Sequence, residues 1–407
     1  MKKIAGGVCA PKNFMAAGIR CGIKASSQKK DLALIFSQKE CTAAAMFTTN
    51  RVKAACVTIS QKHIENGKLH AIIANSGNAN ACTGDAGIDA AVRMAQAAGK
   101  ALGVEAHGIA VASTGVIGVP LQAALIESNI DVLKNKLRSD EAGHAAALEA
   151  IMTTDTRKKE IALEFDIDGK KIRIGAMAKG SGMIHPNMAT MLAFITSDAV
   201  IEKDALDAAL NSAVKRSFNR LTVDGDTSTN DMVVIMANGE GGNAPIITGS
   251  PSYAIFVSAL TEVCVTLTRA MARDGEGATK LITITVTNAP NEENAGKLAK
   301  SVASSSLVKA ACFGADANWG RVLCALGYSG ADFDPAKTSV SYKSVSGQVD
   351  VCKNGEPAAF SEEKAKLILS QEEVEIYIDI NNGGAQASVW GCDLTYDYVK
   401  INGDYRS

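Results

Sequence analysis

The sequence contains no C-x-x-C pair, although ten cysteines and five histidines are spread through its 407 residues. Zinc-ligand spacing is therefore missing, and scattered cysteines in a chain of this length read as reduced core residues of a cytosolic protein. Aromatic residues are scarce, at 5%, which argues against platforms for stacking bases. An excess of one charge is missing too. The 42 Lys and Arg against 43 Asp and Glu leave a formal net charge of −1, so neither nucleic acid nor an acidic membrane surface is implied as a partner. The longest apolar stretch, Tyr253 to Val265, is broken by Ser258, Thr261 and Glu262, and no membrane span is expected from it. After its lysines the opening MKKIAGGVC offers only Ile4 to Val8. That is shorter than the roughly 7-residue apolar core of a secretion signal, and it reads as a first strand.

What is present is ordinary for a globular chain: 47% hydrophobic and 21% charged residues in 42.3 kDa, enough for two or three domains or one large α/β unit. Strand-like and helix-like runs alternate. AACVTIS (Ala54–Ser60), AIIANSG (Ala71–Gly77) and GIAVAST (Gly108–Thr114) read as strands. Asp85 can cap a helix over 86–102 that places Ala91, Met94, Ala98 and Leu102 near one face, and a further helix is expected over 121–137. EIALEFDIDGKKIRIGAMA reads as a hairpin turning at Asp168-Gly169. Helices are expected over 203–218, 253–273 and 292–304 and after Asn318. Strands are expected at VVIMAN and over 281–287, and in a last pair ending in YDYVKING. No repeat or low-complexity linker interrupts this mixed α/β, or α+β, pattern.

Several motifs fail on inspection. VDGDTSTND begins like a calcium loop, with Asp224, Asp226, Ser228 and Asn230 alternating. The sixth position is Thr229 rather than Gly and the twelfth is Ile235 rather than Glu, so the tight turn and the bidentate ligand are both lost. DGEGATK lacks phosphate-loop spacing, and neither G-x-G-x-x-G nor G-x-S-x-G is present. No metal is expected. His185, before Pro186, reads as an extended loop or packing residue more readily than as a general base.

Thr190, in HPNMATMLAFI, is different in its chemical potential. On pattern alone it is a β-branched residue opening a strand. Cleavage of the Ala189–Thr190 bond would give it a free α-amine, with a pKa of about 7.7–8.0, next to its own hydroxyl. That pairing is a known way to activate an alcohol nucleophile. The small Ala189 leaves room for attack on its carbonyl, and Gly180 and Gly182 permit a close approach of the upstream segment.

The longer string AKGSGMIHPNMATMLAFITSDA (Ala178–Ala199) closely resembles the processing site of the ornithine acetyltransferases, also called bifunctional glutamate N-acetyltransferases. FTTNRVKAA, ANSGNANACTG, ASTGVIG, IMTTDT, VDGDTSTND, ARDGEGATK, FGADANWGR and the tail YVKINGDYRS resemble the same family in the same order, so the likeness runs along essentially the whole chain. It implies a layered αββα sandwich with a smaller α/β part at about 281–407. It also implies self-cleavage into an α chain, 1–189, and a β chain, 190–407, that share one core.

Position by position, the resemblance makes Thr190 the nucleophile and Thr114 and Gly115 the oxyanion-stabilising pair. Thr153, Lys179, Glu276, Asn402 and Ser407 become contacts to the amino-acid substrate. A lysine suits a carboxylate and a glutamate suits a cationic amine. The implied reaction moves an acetyl group from N-acetylornithine to glutamate through acetyl-Thr190, without a cofactor, in the cytoplasm, in a tetramer of two α and two β chains. Family members differ in whether acetyl-CoA also serves as donor. Cys56, where proline is commoner, and Ser407, where threonine is also common, are the departures, and neither belongs to the acyl-transfer residues. The rivals are a self-cleaving aminopeptidase or amidase that uses water as acceptor, and a binding protein in which cleavage is only maturation. Lys179, Glu276 and the KIN tail disfavour the first.

Overall fold

The computed structural model describes every residue except Ser26, 186–190 and 405–407. Thr190, Ala189 and Ser407 thus lie outside the described residues. The chain divides into two compact units. The first holds 1–180, 186–219 and 226–267, and the second holds 181–185, 220–225 and 268–407.

The first unit is built on one nine-stranded sheet. Its strands are β1 (Lys2–Ile4), β2 (Phe14–Ile19), β3 (Leu32–Phe47), β4 (Lys68–Asn78), β5 (Ile109–Val116), β6 (Lys159–Ile167), β7 (Lys170–Lys179), β8 (Leu192–Ser197) and β9 (Met232–Ala237). They run in the order β1-β6-β7-β8-β9-β3-β4-β5, with β2 paired to β3. The 16-residue β3 serves two neighbourhoods. Its first half pairs β2 and β4, and its second half pairs β9, with an irregularity between Phe36 and Cys41 on the β4 side. Residues from both neighbourhoods, among them Phe14, Leu34 and Ile72 with Met177, Phe194 and Val234, enter one buried core. Helices α1 (Ala55–His63), α2 (Gly84–Leu102), α3 (Ala123–Lys134), α4 (Glu141–Ile151) and α5 (Lys203–Arg216) pack on these strands. The result is the mixed α+β class that the resemblance implied.

Local rules explain most of these elements. The β6–β7 hairpin turns where expected, with positive φ at Asp168 (52°) and Gly169 (75°), the backbone of a two-residue primed turn. In α2 the buried face carries Ala91, Met94 and Ala98. Its N-cap position is Thr83 rather than Asp85, which sits in the first turn, where a negative charge complements the helix dipole.

Three strand expectations are overturned. The first strand expected over Ile4–Val8 is instead β1 over Lys2–Ile4, and Gly7–Cys9 forms a single 3-10 turn with positive φ at Gly6 and Gly7. Ala54–Ser60 is not a strand: α1 begins at Ala55 and buries Ala55, Cys56, Val57, Ile59 and Ser60, and a run this apolar and this short carries no period by which sequence could tell helix from strand. YDYVKING is helix α11 (Tyr396–Gly403), started by the Thr395 hydroxyl, which accepts the Tyr398 N–H. That N-cap outweighs the apparent alternation.

Helix α6 (Pro251–Arg273) has 23 residues and a mean hydropathy of 1.5 in its most apolar window, so by length and composition alone it could cross a membrane. Its burial is one-sided, however. Phe256, Leu260, Val263, Leu267 and Met271 are buried while Ser258 and Glu262 are exposed, the stripe of a core-facing helix.

The second unit carries a six-stranded sheet in the order β13-β12-β11-β14-β10-β15, made of β10 (Leu281–Ala289), β11 (Ser339–Ser344), β12 (Gly347–Lys353), β13 (Glu356–Pro357), β14 (Glu373–Asp379) and β15 (Ala385–Cys392). Only the β10–β14 pair is parallel. Helices α7 (Glu292–Ser304), α8 (Ser306–Phe313), α9 (Trp319–Gly327) and α10 (Glu362–Leu369) accompany it. Asn291 and Asn318 cap α7 and α9 through their side chains. All ten cysteines are free thiols, and only Cys82 and Cys324 are exposed. Burial pushes Cys9, Cys21, Cys41, Cys264 and Cys312 up to about 12, which leaves them protonated and unreactive.

Candidate active site

In the first unit β5 and β7 deliver two of the expected residues to one place. Thr114 is the sixth residue of β5 and Lys179 the last of β7, and both are buried. Lys179 Nζ donates to Thr114 Oγ1 at 3.3 Å. A hydroxyl that accepts from an ammonium keeps its single hydrogen to donate elsewhere. The two side chains line a small cleft with Met191, Leu192, Asn230 and Asp231. Met191 is the residue directly after Thr190.

Gly115 follows Thr114 with φ of 134°, and a Cβ there would lie 2.4 Å from the carbonyl carbon of Gly77. Only glycine lets β5 run this close to β4. Asn230 braces the same strand end. Its Nδ2 donates to the carbonyls of Ser113 (2.8 Å) and Ala79 (2.6 Å), with the Cys56 sulfur at 3.8 Å. The departure at Cys56 therefore touches a residue of the cleft wall, and burial raises its thiol to about 11.

Behind Lys179 lies a buried ion pair. Asp155 Oδ1 accepts from Lys159 Nζ and from the Gly180 N–H, both at 2.7 Å, and Oδ2 accepts the Thr153 N–H at 3.0 Å. Burial opposes its charge, but Lys179 and Lys159 hold the carboxyl below its usual range. Thr153 and Asp155 line a second, larger cavity of about 240 Å³ with Lys29, Lys30 and Lys158. Thr153 is thus not among the residues that line the Thr114–Lys179 cleft.

In the second unit, Asn402 Nδ2 donates to Glu276 Oε2 at 2.9 Å, and the Glu276 N–H donates to the Ser181 carbonyl at 2.9 Å. Glu276 is buried and Asn402 exposed. His185 stands 3.1 Å from Thr222 Oγ1 through Nδ1. Burial lowers its pKa to about 4, Lys300 adding to the effect and Asp224 opposing it. The unfolded ring titrates near 6.5, so the unfolded chain gains the proton first as pH falls. The stability contributed by neutral His185 is complete above about pH 6.5 and lost toward pH 4. Thermal melts across that interval should fall less steeply for His185→Asn than for the wild type; parallel curves would refute this.

Sequence reading missed Asp231 and Asn230 as parts of the cleft. Their only signal is position: they close the polar string VDGDTSTND immediately before the apolar run of β9. Among the described residues no group of three or more His, Cys, Asp or Glu could hold a metal ion.

A hydroxyl and a glycine at a strand end beside a buried ammonium make a site suited to stabilising a developing oxyanion, and the flanking Asp231 carboxyl suits a cationic group instead. The sequence pattern of the ArgJ family matches residues 15–407, and the chain belongs to that family. The arginine biosynthesis bifunctional protein ArgJ of Symbiobacterium thermophilum is 52% identical over 408 residues, covering 100% of both chains. That of Caldanaerobacter subterraneus is 50% identical over 407 residues with the same coverage. The crystal structure of arginine biosynthesis bifunctional protein argJ from Bacillus halodurans shares 46% identity with a TM-score of 0.50, covering 53% of this chain and 99% of that one.

Proposed function

We propose that this ArgJ-family enzyme of arginine biosynthesis is an ornithine acetyltransferase, moving an acetyl group from N-acetylornithine to glutamate through an acetyl-Thr190 intermediate. The observation that carries the reading is the cleft in which Thr114 and Lys179 meet Met191, the residue after Thr190. Thr190 Oγ attacks the acetyl carbonyl and its α-amine takes the hydroxyl proton. Thr114 and Gly115 receive the oxyanion, and ornithine leaves with the proton. Glutamate then attacks acetyl-Thr190 by the same steps in reverse. Lys179, Thr153, Glu276, Asn402 and Ser407 hold the amino-acid part common to both substrates; an assay with acetyl-CoA as sole donor decides whether it also serves. Self-cleavage before Thr190 creates the amine. In support, residues 190–407 are a little over half of the chain, and the Bacillus halodurans chain is matched over 99% of its length by 53% of this one. A cytoplasmic tetramer of two α and two β chains completes the reading, in keeping with ten free thiols.

One nucleophile that serves two acyl partners requires ping-pong kinetics. Incubation with N-acetylornithine alone should release ornithine and leave one acetyl group on Thr190, seen by mass spectrometry, and glutamate should discharge it. Intersecting double-reciprocal lines with no acetylated fragment would mean direct transfer. Ornithine release at the same rate without glutamate would make the enzyme a hydrolase.

A further inference from the structure

Asp231 is fully buried at the start of β9, where it lines the Thr114–Lys179 cleft. One carboxylate oxygen is used: Oδ1 accepts the Met191 N–H at 2.7 Å. The other, Oδ2, is also buried and accepts no hydrogen bond among the described residues; the neighbouring Thr48 hydroxyl, whose dipole helps to lower the carboxyl's pKa, spends its one hydrogen on the Ser228 carbonyl at 2.7 Å. A buried carboxylate oxygen without a donor is rare in native proteins and calls for a partner.

Covalent geometry says which partner. The Thr190 nitrogen is three bonds from the Met191 nitrogen, within about 3.7 Å of it by bond lengths alone. The two oxygens of one carboxylate can therefore serve two successive backbone nitrogens. In the uncut chain the Thr190 nitrogen is an amide with a single hydrogen. Once the bond before it is broken it is an amine with more hydrogens and a positive charge to offer. We propose that Asp231 is a positioning residue for the new N-terminus: Oδ1 fixes the Met191 N–H while Oδ2 accepts an N–H from the Thr190 α-amine. The inference rests on the acetyl-Thr190 reading above.

The chemistry balances without consuming Asp231. In cleavage, Thr190 Oγ bonds to the Ala189 carbonyl carbon, the C–N bond breaks, and the nitrogen takes the hydroxyl proton. Water then hydrolyses the ester. In turnover, the Oγ proton moves to the α-amine as the Oγ–acetyl bond forms, and passes to the ornithine nitrogen as the acetyl–N bond breaks. Between those transfers the α-amine is an ammonium. Oδ2 both orients its lone pair toward Oγ and stabilises that transient charge. In the uncut chain burial raises the Asp231 carboxyl well above its usual range, against the Met191 N–H, the Thr48 hydroxyl and then Lys179, which all pull it down. A cation arriving at Oδ2 reinforces Lys179 and favours the carboxylate.

The test is Asp231→Asn, with kcat expressed per free Thr190 α-amine so that incomplete cleavage does not enter. Asparagine still accepts the Met191 N–H through its carbonyl but presents an NH2 where Oδ2 was. The expected result is a kcat lower by about 10²-fold, with KM for both substrates within roughly threefold and Tm not reduced. Asp231→Glu, which keeps the carboxylate, should retain more kcat than the asparagine variant. Wild-type kcat in Asp231→Asn, or equal losses in both variants, would overturn the proposal. Acetylation of wild-type Thr190 is measured in parallel. If it is absent the acetyl-transfer reading itself fails, and if it is present at the same rate in Asp231→Asn only the role of Asp231 falls.

Discussion

Thr190→Ala is expected to purify as one unbroken 407-residue chain with no detectable acetyl transfer, while the wild type separates into fragments 1–189 and 190–407. Under the proposed reading both effects follow from one atom, because the same hydroxyl would be the nucleophile for chain cleavage and for turnover. Thr190→Ser keeps a hydroxyl and should still cleave, more slowly or faster as its lighter side chain settles. The measurement is a denaturing gel with N-terminal sequencing of the second fragment, beside an ornithine-release assay. A wild-type fragment that begins anywhere but Thr190, or a cleaved and active alanine variant, would remove Thr190 from the mechanism.

Thr114→Ala is the second large effect. The Thr114 hydroxyl already accepts from Lys179 at 3.3 Å, so its own hydrogen is the one left for a substrate oxygen. An interaction with charge that exists only in the transition state should cost about 10²–10³-fold in kcat and leave KM nearly alone. Maturation should slow in parallel, since cleavage passes through an oxyanion as well. Truncation also deprives the buried Lys179 of an acceptor, so some loss of Tm is expected. Assaying only fully cleaved protein separates the two consequences. A near-wild-type kcat there would reduce Thr114 to the end of a strand.

Parts of this site were legible in the sequence because they sit where local rules are strict. Thr114-Gly115 ends a strand whose close approach to β4 tolerates only glycine, and Lys179 ends a hairpin announced by Asp168-Gly169. Asp231 was not legible, since a polar string such as VDGDTSTND looks like a surface turn until the fold buries its last residue. Thr153 was read with Lys179 from motifs alone; the structure links the two neighbourhoods through Asp155, which accepts the Thr153 N–H on one oxygen and the Gly180 N–H on the other, and lines a neighbouring cavity with Thr153. Secondary structure was misread where a segment was too short to show its period. Ala54–Ser60 is apolar almost throughout and YDYVKING has few apolar residues, so neither pattern chooses between helix and strand; the fold buries α1 almost continuously over 55–60, and a Thr395 cap starts the helix in the other.

The strand order β7-β8-β9-β3 has a consequence for a chain cleaved as proposed. β7 and β3 precede residue 190, while β8 and β9 follow it, so a chain cut there would leave the second fragment's two strands clasped between strands of the first. The fragments could not part by simple dissociation, because the ladders on both sides of the β8–β9 pair would have to be torn open. Dilution alone should never separate them. Once denaturant has pulled them apart, recovery becomes a meeting of two molecules, and its rate should rise with protein concentration where that of uncut Thr190→Ala does not.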